Sequence, residues 1–127
     1  PEDWVSAYSI VLNCMSWRNG VKFIIHIADS PAHGSPNDYG NFDCYSLPQE
    51  AFKLDKLIEK LARDKYFITG FWIKNYALKS FINCQRIFDL NKNPNYDIKY
   101  FNPENPSQKY FTNLVISSSI GVARTIS

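Results

Sequence analysis

The sequence lacks the features that mark secreted and membrane proteins. Its three cysteines, Cys14, Cys44 and Cys84, are odd in number and far apart, and no CxxC pair occurs, so neither a disulfide framework nor a zinc knuckle is indicated. No apolar run approaches the roughly 20 residues that cross a bilayer, and no amino-terminal segment has the order of a signal peptide. We therefore expect a cytoplasmic protein with reduced thiols and no membrane partner.

The sequence also lacks a strong excess of charge of either sign. Fourteen lysines and arginines stand against twelve aspartates and glutamates, which gives a formal net charge of +2. No long basic block occurs, and the aromatic residues lie mostly at core spacings without interleaved arginines. These patterns argue against nucleic-acid binding, so no nucleic-acid partner is expected.

Apolar and aromatic residues are abundant. Hydrophobic residues make up 45% of the 127 positions and include nine phenylalanines, eight tyrosines and three tryptophans, which is enough for the core of one domain. The chain opens directly on a helical pattern at Pro1-Glu2-Asp3, where proline suits the first helical position and acids suit the first turn. Because no methionine precedes this helix, we expect that an upstream segment has been removed.

Hydrophobic periodicity predicts four helices that alternate with three strands. In chain order these are a helix over 2–17, a strand over 21–28, a helix over 50–65, a strand over 66–73, a helix over 76–90, a strand over 96–101 and a helix over 108–126. The alternation implies an α/β fold, a three-layer, Rossmann-like parallel sheet with helices on both faces. Three strands make an incomplete sheet. We expect the uncharged first strand to be covered on both of its faces. The unpaired edge of this strand predicts self-association.

Three segments interrupt this periodic pattern. Asn19-Gly20 is expected to end the first helix in a left-handed cap. Gly70, inside the second strand, predicts the close approach of a neighbouring backbone. The loop over 30–49 has three prolines and two glycines and is far longer than the usual connection, which is typical of a functional or mobile loop, with a tolerated surface excursion as the alternative.

The first strand ends abruptly in polar residues, and this is the most informative feature of the sequence. The apolar run stops at Asp29, which is followed by Ser30 and then by His33. Open α/β sheets place ligands in the crevice beyond the carboxyl ends of their strands. Because Glu2 and Asp3 begin a helix that runs antiparallel to this strand, we expect them to reach the same rim.

Carboxylates and a hydroxyl form a set of hard oxygen ligands, which favours Mg²⁺ over softer metals. We expect Asp29 and Glu2 to hold the metal and Ser30, His33 and Asp3 to contribute to ligand binding, with water or another segment completing the coordination. The alternative is that Asp29 only caps its own turn. His26 lies inside the strand and is interpreted as a hydrogen-bonded core residue; strand alternation turns it away from His33, which argues against a zinc site.

Three stretches of the sequence carry a resemblance to a known family. They are Pro1-Glu2-Asp3-Trp4-Val5-x-x-Tyr8, then Trp17, Gly20 and Ile24-Ile25-His26-Ile27-Ala28-Asp29-Ser30-Pro31-x-His33-Gly34, and then Ile68-Thr69-Gly70-Phe71-Trp72-Ile73. With these residues the sequence resembles the carboxyl half of a von Willebrand factor type A domain, of the kind associated with atypical alpha-type protein kinases. The resemblance covers most of the chain, is weak after Asn91, and implies that residues 1–127 are a partial domain of this type.

This resemblance implies a doubly wound sheet with a metal-ion-dependent adhesion site that holds Mg²⁺ through three loops. Asp29 matches the third-loop aspartate, and Glu2 stands in a Pro-Glu context similar to the second-loop acid of integrin β-type members. The Asp-x-Ser-x-Ser signature of the first loop is not in the sequence, and Asp29-Ser30-Pro31 replaces the commoner Asp-Gly. The family's first three strands would lie upstream.

Two functions are compatible with these residues. The first is a protein-interaction module that binds a protein partner through a partial adhesion site. In that case the chain is not an enzyme, and any kinase activity lies in another domain, because no kinase catalytic motif occurs. The alternative is a metal-dependent hydrolase or phosphotransfer enzyme that uses Asp29, with His33 as acid and base and Lys74 as a further rim residue.

Overall fold

In a computed structural model of the chain, the described residues are 2–33, 39, 48–104 and 107–126. The elements within them are α1 (Trp4–Asn13), β1 (Phe23–Ala28), α2 (Pro48–Arg63), β2 (Phe67–Trp72), α3 (Asn75–Leu90), β3 (Tyr96–Tyr100) and α4 (Gln108–Ile126). Their number and order confirm the sequence prediction. The predicted long loop lies largely outside the described residues, and its last two positions belong to α2.

The three strands form a parallel sheet in the order β1-β2-β3. Phe23 pairs with Phe67 in β2, and Ile68 pairs with Tyr96 in β3, so the carboxyl ends of all three strands lie at one rim. This is the predicted α/β, Rossmann-like arrangement. None of the helices in the described part of the chain has the length and hydrophobicity needed to span a membrane.

Helices cover both faces of the sheet. His26 of β1 pairs with Gly70 of β2, and both residues face the core that the sheet shares with α1, α2 and α3. On this face the rings of Trp4 from α1 and Phe81 from α3 lie 4.3 and 5.0 Å from the ring of His26. Strand alternation turns the neighbouring residues to the other face. There α4 packs against the sheet, and Lys99 of β3 donates to Ser118 over 3.4 Å.

The expectation that β1 is covered on both faces is wrong for one face. Ile27 is 37% exposed, and Phe23 and Ile25, on the same face, are only half-buried. The carbonyls of Lys22 and Ala28 accept hydrogen bonds from the N–H groups of Phe67 and Ile73 over 2.9 and 3.0 Å. Because backbone groups alternate in direction along a strand, those of Phe23, Ile25 and Ile27 point to the free edge. Within the described residues β1 is therefore an edge strand with a partly exposed apolar face.

Helix α1 is shorter than predicted at both ends. Asp3 is not in its first turn but caps it, accepting hydrogen bonds from the Ser6 N–H and hydroxyl over 3.0 and 2.6 Å. Glu2 precedes the cap and pairs in parallel with Ala32. At the other end the helix stops at Asn13, so Gly20, whose φ is +134°, lies in a later turn instead of capping the helix.

The sequence predicts that Gly70 allows a neighbouring backbone to approach β2, but the group that approaches is the side chain of Phe81. A Cβ atom at this position would lie 2.5 Å from Cδ1 of Phe81, which is fully buried in α3. The ring of Phe81 therefore fills the space that any larger residue would need, and α3 packs closely on the sheet.

Substituting Gly70→Ala should destabilise the protein by about 1–3 kcal/mol, because the buried Phe81 ring has no room to move. The control is Gly121→Ala in α4, where nothing lies within 4 Å of the added Cβ and where alanine should stabilise the helix by about 0.5–1 kcal/mol. Urea denaturation of both variants measures the two effects. Equal changes of the same sign would contradict this account of Gly70.

His26 is hydrogen-bonded, as the sequence predicts, but it is half-buried at the side of the core. Its Nδ1 lies 2.7 Å from the Tyr8 hydroxyl, and the rings of Trp4 and Phe81 enclose it. Burial lowers the pKa of His26 to about 4 from its usual 6.5. The folded protein therefore keeps this imidazole neutral over a range in which the unfolded chain protonates it.

This depressed pKa predicts a loss of stability as the pH falls from about 6.5 to about 4, since only the unfolded chain takes up the proton there. The contribution of His26 should reach roughly 3 kcal/mol at the acidic end. Denaturation curves across this range for the wild type and for His26→Gln, which retains a hydrogen-bond acceptor but does not titrate, measure it by difference. Parallel pH profiles for the two proteins would contradict the prediction.

Candidate functional site

Asp29 is the first residue after β1 and stands at the carboxyl rim of the sheet. A main-chain pairing brings Glu2 to the same place. The Glu2 N–H donates to the carbonyl of Pro31 over 2.9 Å, and the Glu2 carbonyl accepts from the N–H of His33 over 3.2 Å. Because these bonds fix the backbone on both sides of Ala32, Glu2 is held beside the end of β1.

The side chains of Glu2 and Asp29, here called the rim carboxylate pair, lie close enough to interact with each other. Partial burial raises the pKa of Glu2 above its usual value, and the neighbouring Asp29 raises it further. The hydroxyl of Ser30 donates to Oδ1 of Asp29 over 3.1 Å. Three oxygen-bearing side chains from two separate segments therefore meet at the rim, as the sequence predicts.

Asp3 and His33 lie beside this pair but have other interactions. The Asp3 carboxylate is directed to its own helix, and the hydrogen bonds from Ser6, together with the charge of His33, lower the pKa of Asp3. His33 is tied to Glu2 through its backbone N–H. Asp3 thus sets the start of α1 instead of adding its carboxylate to the rim carboxylate pair.

The donor atoms at the rim are those that Mg²⁺ prefers. Two carboxylates and a hydroxyl are hard oxygen ligands, and Mg²⁺ commonly binds one or two carboxylates and keeps several waters. Among the described residues, no group of three or more histidine, cysteine, aspartate or glutamate side chains is gathered for a metal. The rim carboxylate pair therefore fits a partly hydrated Mg²⁺ and does not form a closed protein cage.

Sequence reasoning missed the residue that supports this rim from below. The Ser80 hydroxyl in α3, which is fully buried, accepts from the Ala32 N–H over 3.0 Å and donates to the carbonyl of Tyr39 over 2.6 Å. Tyr39 in turn donates its hydroxyl to Asp55 of α2. The signal was present, since Ser80 is a polar residue on the apolar side of α3, but its partners are distant in sequence.

The other strand ends complete the rim. Lys74 follows β2 and occupies the position that precedes α3. With Trp72 and Tyr100 it lines a cavity of about 500 Å³ at the ends of β2 and β3. Asn102, after β3, accepts from the Glu104 N–H over 3.0 Å and so closes its own turn.

Comparison with known proteins adds no assignment to this geometry. No protein-family model, no curated protein and no solved structure matches the chain.

Proposed function

We propose that the chain is a protein-interaction module, similar to part of a von Willebrand factor type A domain, in which the rim carboxylate pair holds Mg²⁺. The observation that supports this proposal is the meeting of Glu2 and Asp29 at the carboxyl rim of a parallel sheet. Ligands of open α/β sheets bind at this rim. A cytoplasmic location and an association with alpha-type kinases belong to the same proposal.

Two carboxylates held in contact favour a bound cation. Neighbouring like charges repel each other unless a proton or a cation lies between them, and this repulsion adds to the effect of burial in raising the pKa of Glu2. A bound Mg²⁺ supplies a coordination position for a carboxylate of the protein partner. Asp29 and Glu2 hold the ion, Ser30 orients Asp29 through its hydroxyl, and His33 fixes the backbone of Glu2.

A hydrolase or phosphotransfer enzyme is the second candidate. The observation that favours it is the raised pKa of Glu2 beside the side chain of Asp29, since a carboxyl group that keeps its proton to a higher pH than usual suits general acid catalysis. Against it, the one hydroxyl bonded to the pair is that of Ser30, and it donates to Asp29, which gives the pair no separate nucleophile in the described residues.

Titration of the chain with Mg²⁺ tests the first candidate. Asp29→Asn and Glu2→Gln should each weaken Mg²⁺ binding by about tenfold or more, because each removes one charged ligand. Asp64→Asn, on an exposed acid away from the rim, should bind as the wild type does. Isothermal titration calorimetry gives the affinities, and wild-type affinity in Asp29→Asn would refute the metal role.

The same variants separate the two candidates. A binding module should show no turnover of a phosphate monoester in the presence of Mg²⁺. Turnover by the wild type that is lost in Asp29→Asn and kept in Asp64→Asn would replace the binding module with the enzyme.

We further propose that a second copy of the chain pairs with the free edge of β1. Its uncharged sequence and outward backbone groups support this, because native edge strands usually carry charges that prevent such pairing. Ile27→Lys should reduce self-association by about tenfold or more, whereas Ile82→Lys, at an exposed isoleucine of α3, should not. Sedimentation at several concentrations measures this, and equal behaviour of the two variants would contradict it.

A further inference from the structure

A second surface lies between α1 and α2 and shares no residue with the rim. It is a groove of about 480 Å³, open to solvent on one side, and is called here the α1–α2 groove. Its floor is apolar and includes Val5 and Leu12 from α1 and Leu57 from α2. The two helices pack directly on each other below it.

The wall of the α1–α2 groove that α2 provides is cationic. Lys53, Lys56 and Lys60 line it, and their spacing places them on one side of the helix. Their ion-pair partners, Glu50, Glu59 and Asp64, do not line the groove. The groove therefore presents positive charge around an apolar floor, although the sequence as a whole is nearly neutral.

These lysines can exchange their partners at little cost. The pairs of Lys53, Lys56 and Lys60 join atoms 3.3, 3.5 and 3.0 Å apart, and the lysine side chains are about 60% exposed. Exposed pairs of this kind contribute little to stability. An acidic group placed in the groove would thus gain three cations without breaking the fold.

Phe52 adds an apolar anchor at the edge of the α1–α2 groove. It is 62% exposed on a helix whose outer surface is otherwise charged, and Nζ of Lys56 lies 5.4 Å from the centre of its ring. Aromatic residues, phenylalanine among them, are enriched in protein interfaces relative to the rest of the surface. Phe52 therefore marks the groove as a contact surface and not only as a gap between helices.

We propose that the α1–α2 groove binds an acidic amphipathic helix of a partner protein. Apolar side chains on one face of that helix contact Val5, Leu12, Leu57 and Phe52, and the acidic residues that flank this face pair with the lysines. A groove between two packed helices accepts a third helix in this way. The partner's charge follows from complementarity with the cationic wall.

A second copy of this chain fits the groove less well. Helix α4 has the exposed apolar residues Phe111, Ile116 and Ile120, but its charged residues are Lys109 and Arg124, with no acid between Gln108 and Ile126. Its cations would face those of the groove. Charge complementarity thus favours a partner of different sequence over self-docking through α4.

The probe for this proposal is a fluorescent peptide of about four helical turns, with leucines along one face and glutamates elsewhere. A matched peptide has glutamine in place of glutamate. Fluorescence anisotropy should show binding of the acidic peptide that weakens with added salt, and binding of the glutamine peptide about tenfold weaker or more.

Variants of the chain locate the binding. Phe52→Ala and the triple change Lys53→Glu, Lys56→Glu, Lys60→Glu should each weaken binding about tenfold or more. Tyr76→Ala, at an exposed aromatic residue of α3, and Lys109→Glu should leave it unchanged. All six substituted positions are exposed, and circular dichroism checks that each variant remains folded.

Three results would overturn the proposal. In the first, the acidic peptide does not bind. In the second, it binds equally well to the wild type, to Phe52→Ala and to the triple variant. In the third, the chain forms a dimer that Phe52→Ala converts to a monomer. The last result would assign the α1–α2 groove to a second copy. None of these variants touches Glu2 or Asp29, so failure here leaves the metal proposal untouched.

Discussion

The rim depends on a short main-chain pairing between the start of the chain and the segment after β1. Two hydrogen bonds, from Glu2 to Pro31 and from His33 to Glu2, hold one carboxylate beside the other. Ser80 of α3 binds the Ala32 N–H in the middle of this segment, so the pairing is anchored to the core. The backbone, and not the freedom of two long side chains, therefore sets the separation of the rim carboxylate pair.

Periodicity predicted the elements because burial repeats along the sequence, but it did not predict where α1 ends. A helix end depends on which side chain binds the exposed backbone groups. Asp3 does this at the start of α1, so the helix begins later than its acids suggest. Trp17 was predicted to be the last residue of this helix. It instead follows the helix and folds back, with its indole N–H donating to the Val11 carbonyl over 2.9 Å and its ring 5.5 Å from that of Tyr66.

Strand direction was enough to predict that Glu2 and Asp29 meet, although for a reason that was only partly right. The prediction placed Glu2 in a helix, whereas Glu2 is extended and pairs with Ala32. Ser80 could not be assigned from the sequence, because its two partners are 48 and 41 positions away and no local pattern links them. The order of the helices and strands and the direction of the strands can be predicted from the sequence. Buried polar contacts between segments that are distant in sequence cannot.

The raised pKa of Glu2 in the rim carboxylate pair has a consequence for how this edge of the sheet responds to pH. A carboxyl group that keeps its proton to a higher pH than usual must release it when a cation takes its place. Any cation held between Glu2 and Asp29 is therefore exchanged against hydrogen ions. A fall in pH would therefore favour the protonated carboxyl group, release the cation and, with it, any partner that the cation binds.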